Sequence, residues 1–109
     1  MKYIFSEMKS GIERIKEERE RQVTEEGWTP EHDNEHKHYE LSKAAVAYLK
    51  YNFLGIENDY MIRTYDWPWD PMWWKPSDKS SIAGQIKNLT KAGALIAAEI
   101  DRLQRLKEE

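Results

Sequence analysis

The chain has 109 residues, 17 basic and 20 acidic side chains and a net charge of −3, a length suited to one domain spanning residues 1–109 with a core of its own. It has no cysteine, which excludes thiolate catalysis, thiolate zinc sites and a disulfide scaffold, and its interleaved charge makes nucleic acid an unlikely partner. No apolar run approaches the ~20 residues of a membrane span and nothing after Met1 reads as a secretory signal, so the expectation is a cytoplasmic protein with no membrane partner.

The first element predicted is a helix opened by Ser10 and Glu13, which have the spacing of a capping box. Met8, Ile12 and Ile15 share one face, and strong helix formers continue to Glu26 before Gly27 ends the run. Glu17 and Arg21 are spaced for an i,i+4 pair. The apolar face thins out after Ile15, so the second half is either solvated or lines a polar site.

Thr29-Pro30 opens the next helix, since threonine caps and proline suits the first helical position. It runs to about Phe53 or breaks near His38, with an apolar face of Leu41, Ala45, Tyr48 and Tyr51 or Asn52. From Leu54 to Pro76, Pro68, Pro71 and Pro76 forbid a continuous helix. A connection this long is expected to be ordered, pinned by its tryptophans, with room for a short strand near Tyr60–Tyr65.

The last third predicts a long helix, capped by Ser77 or Asp78 and carrying Arg102, Arg105 and Lys107 at its C-terminal end. Ile82, Ile86, Leu89, Gly93, Ile96, Ile100 and Leu103 follow steps of four and three and mark the expected core face. The small residues from Ala92 to Ala98 either let another helix of the same fold approach closely or form a homo-oligomer interface. The fold class expected is all-α: a compact three-helix bundle with a Trp/Pro-rich ordered loop.

Three blocks carry a resemblance. They are Glu18-Arg19-Glu20-Arg21-Gln22 leading to Glu26-Gly27-Trp28-Thr29-Pro30-Glu31-His32-Asp33 with His36 and Glu40-Leu41, then Trp67-Pro68-Trp69-Asp70 with Trp73-Trp74-Lys75-Pro76, then Lys91 to Ile100. Together they resemble a family of small bacteriophage and prophage proteins with no established activity. The resemblance implies an accessory viral protein acting in the host cell cytosol and assigns no catalytic residue. Accessory phage proteins of this size often counter host defence, an association with a gene class and not with these residues.

Two constellations have chemistry of their own. His32, His36 and Glu40 lie at i, i+4 and i+8 if one helix holds them, a spacing that suits zinc, or manganese or magnesium, with Asp33 or a glutamate of the first helix orienting or completing the set. Glu17, Glu18, Glu40, Glu99 and Asp101 offer a second, magnesium-type reading on facing helices. Among the aromatics, Trp69, Trp73 or Trp74 can stack on a nucleobase while Lys75, Arg63 or Arg21 meets a phosphate. The same rings serve equally to anchor a host protein or to close the core. The leading expectation is therefore a non-enzymatic anti-defence binding protein that sequesters a nucleotide signal or blocks a defence protein. The alternative is a metal-dependent nucleotide or phosphoester hydrolase built on the His/Glu site.

Overall fold

The computed structural model describes residues 8–108. The fold is all-α, and no strand occurs among the described residues. Three long helices carry it: α1 (Gly11–Glu25), α3 (Glu40–Leu54) and α5 (Ile82–Glu108). The short α2 (Pro30–Asn34) lies between the first two, and α4 (Asp59–Met61) sits inside the connection from α3 to α5.

Local chemistry sets the helix ends. Ser10 and Glu13 form the reciprocal capping box at the start of α1, and Gly27 takes a positive φ of 72° just beyond its end. Thr29 caps α2 through the His32 amide, with Pro30 in the first turn. The chain leaves α2 after Asn34 and re-enters a helix at Glu40 through Tyr39, whose φ is 67°. The continuous helix from Pro30 to Phe53 therefore does not form, and the chain breaks across residues 35–39, which include the expected His38.

The segment expected to hold a strand coils instead. Ile56–Asn58 is a 3₁₀ turn, Asp59–Met61 one turn of α-helix and Ile62–Asp66 a turn of π-helix. Ile62 and Trp67 reach the core from here, and the Trp67 amide donates to the Ile62 carbonyl. A strand would leave its backbone groups without a partner strand in this all-helical fold, whereas these turns satisfy them locally.

The core lies between α3 and α5. Leu41, Ala44, Ala45, Ala47, Tyr48 and Tyr51 of α3 meet Ala92, Leu95 and Ala98 of α5, and Ile62, Trp67 and Trp74 close the cluster from the connection. The α5 face differs from the periodic reading. Ile82, Leu89, Ile96, Ile100 and Leu103 are exposed, whereas Gly84, Asn88, Ala92, Leu95, Ala98, Glu99 and Arg102 are buried. Small side chains let the two backbones come close, and the buried polar side chains of this α5 face, Asn88, Glu99 and Arg102, are hydrogen-bonded. Arg102 donates to Glu99 at 2.6 Å. Asn88 accepts from the Ser77 amide and donates to Asn52 of α3 and to the Ser77 carbonyl.

Within the Ala92–Ala98 patch, Ala92, Ala94 and Ala98 are buried inside the chain, while Gly93 and Ala97 are half-buried. Gly93 lets α1 approach: a Cβ there would lie 2.5 Å from the Ile15 side chain. Met8, ahead of α1, and Ile12 on it stay exposed, so only Ile15 of the expected face packs. The N-terminal cap of α5 is Ser81, whose hydroxyl accepts from the Gly84 amide, while the expected cap Asp78 turns to Ser80. No described helix is long and apolar enough to cross a membrane.

Candidate functional site

The second half of α1, the α2 region, the tryptophan segment, α3 and α5 line a half-open cavity of about 740 Å³. Its wall is aromatic. Trp28 stacks on His32 (5.7 Å between centroids, 7° between planes), His32 meets His36 at 4.7 Å, His36 meets Trp69 at 5.2 Å, and Trp69 returns to Trp28 at 5.7 Å. The four rings form a closed circuit, backed by Trp67 edge-on to Trp69. Trp73 stands at the rim, 62% exposed.

The opposite side is charged. Arg21 makes two bonds of 2.8 Å to Glu18 and one of 2.9 Å to Glu26. The Glu18 hydrogen bond is the main reason that its pKa is raised, against a smaller loss from burial. Arg21 is therefore at the cavity, but three of its five N–H donors are committed to carboxylates. The expected i,i+4 partner Glu17 pairs with Lys9 instead. Lys91 lies with its ammonium 5.5 Å from the centre of the Tyr48 ring, and burial lowers its pKa. It also reaches the Lys75 carbonyl at 3.3 Å, which brings two cationic residues to one stretch of wall.

Two buried polar atoms of cavity-lining residues have no partner: Gln22 Oε1 and Trp69 Nε1. Gln22 is 2% exposed. Its amide nitrogen lies 3.4 Å from a Glu18 oxygen, so the reverse orientation would set carbonyl against carboxylate, and the acceptor is the orphan. Leaving such a group unsatisfied costs about 1–3 kcal/mol. One orphan accepts and the other donates.

The histidines are held by carboxylates. Asp33, 0% exposed, is fixed by Arg19 and lies 3.1 Å from His32 Nδ1. Glu40 lies 3.2 Å from His36 Nδ1 and accepts from the His38 amide at 2.6 Å. Burial pushes the Glu40 carboxyl up, but these hydrogen bonds outweigh it and hold it below the usual carboxylate range. The Nε2 atoms of His32 and His36 face each other at 3.4 Å.

Of the residues singled out in the sequence, Arg21, His32, His36, Trp69, Trp73 and Lys75 meet around this one cavity. Trp74 does not: it is buried in the core, its indole donating to Asp59 at 2.7 Å, because its neighbours Tyr48, Tyr51 and Trp67 pack around it. Glu40 buttresses His36 instead of sharing a point with both imidazoles. Among the described residues no three His, Asp or Glu side chains converge as a metal site. That also removes the five-carboxylate magnesium reading: Glu17, Glu18 and Glu99 are paired with Lys9, Arg21 and Arg102 respectively, and Asp101 is exposed. Gln22, Trp28 and Lys91 were not singled out as site residues, whereas Asp33, expected to orient or complete the histidine set, lies against His32. Gln22 lies on the half of α1 whose apolar pattern fades, the one signal that pointed to it. No protein-family model matches this chain, and no curated protein or solved structure matches it.

Proposed function

We propose that the protein is a non-enzymatic binding protein of bacteriophage type whose aromatic cavity takes a small nucleotide, sequestering a signal that the host uses in defence. The observation that carries this reading is the pair of orphaned polar atoms, Gln22 Oε1 and Trp69 Nε1, on residues lining an aromatic-walled cavity. A nucleobase offers a flat π-face to the aromatic wall and, once the side chains covering the two buried atoms move aside, a donor for Gln22 and an acceptor for the indole N–H. Lys75 and Lys91 supply positive charge for a phosphate, while Arg21 is already neutralised by Glu18 and Glu26. The phage and anti-defence parts rest on the sequence resemblance alone. Hydrolysis has less support, because Glu40 and Asp33 turn to the histidines' Nδ1 atoms and no set of three ligands converges.

Calorimetry with purified protein in the presence of chelator, against mono-, di- and cyclic nucleotides, tests this. One nucleotide class should bind at micromolar concentration, and Trp69→Phe should weaken it about tenfold, the equivalent of one hydrogen bond. No binding by any nucleotide at millimolar concentration contradicts the proposal.

A further inference from the structure

We propose that His32 and His36 hold one borderline divalent metal ion of the zinc type between their Nε2 atoms, in the wall of the cavity. The argument starts from their outer nitrogens. Each Nδ1 lies within hydrogen-bond distance of a carboxylate: His32 of Asp33 at 3.1 Å, His36 of Glu40 at 3.2 Å. A carboxylate accepts, so each Nδ1 carries the hydrogen and donates. In the neutral rings both Nε2 atoms then present lone pairs, and the fold places these two acceptors 3.4 Å apart. Two bare acceptors facing each other are electrostatically unfavourable, and a cation between them relieves this.

The separation fits a metal ion. Two imidazole nitrogens bound at ~2.0–2.1 Å to a tetrahedral ion lie about 3.3–3.4 Å apart. The carboxylate–histidine arrangement on both ligands is the outer shell that metal-bound histidines typically have, fixing the tautomer and raising basicity. Asp33 is in turn anchored by Arg19, and Glu40 by the His38 amide, so neither buttress is free to turn inward as a ligand. The protein therefore supplies two ligands, not the three that the sequence spacing suggested. The remaining positions are left for water or for an oxygen of whatever enters the cavity. The ion site stands on the two imidazoles alone and does not depend on the nucleotide reading.

The test uses the full chain without a histidine tag and with no nucleotide present. Zinc is titrated by calorimetry, and cobalt by its visible absorption, which reports tetrahedral coordination independently. The expected result is one ion per chain at micromolar concentration. His32→Gln and His36→Gln should each abolish it while retaining the helical circular dichroism of the parent, and His38→Gln should leave it unchanged. Glu40→Gln, which keeps the fold's shape but weakens the buttress, should lower affinity about 10–100-fold. Absence of binding at millimolar zinc, equal binding by His36→Gln, or loss of binding in His38→Gln would each overturn the proposal. Nucleotide binding measured separately in chelator keeps failure here distinct from failure of the nucleotide reading.

Discussion

Gln22 and Gly84 show how much individual positions carry in this molecule. Gln22 occupies a buried site on α1 where an apolar residue would cost nothing, yet its carbonyl oxygen has no partner. Buried acceptors without partners are rare enough in native proteins to call for a reason, and the adjoining cavity supplies one. Gly84 is constrained by contact. A Cβ there would lie 1.7 Å from the Asp78 carbonyl oxygen, which belongs to the backbone and cannot swing aside. Alanine should gain about 1 kcal/mol of helix propensity. The forced backbone shift should outweigh this, so Gly84→Ala is expected to lower stability by about 1–3 kcal/mol net in urea denaturation. Unchanged or increased stability would show that α5 starts differently. At Gly93 the same substitution meets side-chain atoms of Ile15 and no backbone, and a milder response is expected there.

Among the elements, α5 separates what periodicity reveals from what it hides. Its existence, its basic end and the close approach at Gly93 were legible, because helix propensity, charge and small residues act locally, whereas its cap is Ser81 and not the expected Ser77 or Asp78. Its buried face was not. Hydrophobic periodicity selects the stripe with the largest apolar side chains, whereas α3 meets α5 across Ala44, Ala45 and Ala47, a surface that rewards small partners. Adjacent residues give a direct comparison. Leu95 is 1% exposed and Ile96 is 44% exposed. Leu95→Ala should cost about 2–5 kcal/mol and Ile96→Ala about 0.5 kcal/mol in chemical denaturation. The reverse order would restore the periodic stripe as the core. α2 teaches a related lesson. The i, i+4, i+8 spacing assumed one unbroken helix, but the chain turns through Tyr39, and this moves Glu40 from beside the imidazole nitrogens to behind one of them.

For the molecule as a whole, extents of 49 × 35 × 22 Å reflect a long α5 with shorter elements gathered along it. The cavity draws on every part of the chain: Gln22 from α1, Trp28 and His32 around α2, Tyr48 from α3, Trp69 from the connection and Lys91 from α5. The local blocks were visible in the sequence as clusters of unusual residues. Their convergence was not, since it depends on helix-crossing geometry that no short window encodes. The same dispersal explains why Trp74 read as a ligand contact although its ring closes the core, behind the cavity-lining Tyr48 and Trp67.

The central claim is that the orphaned donor of Trp69 and the acceptor of Gln22 await a nucleobase, and the tryptophan indole N–H signals in a proton–nitrogen correlation spectrum test it most directly. The Trp67 and Trp74 indoles already donate, to Asp70 and Asp59. On addition of the bound nucleotide the account predicts a downfield shift of the Trp69 indole proton, with those of Trp67 and Trp74 nearly unmoved. A spectrum in which Trp69 stays in place at saturation, or in which only the rim residue Trp73 responds, would contradict it.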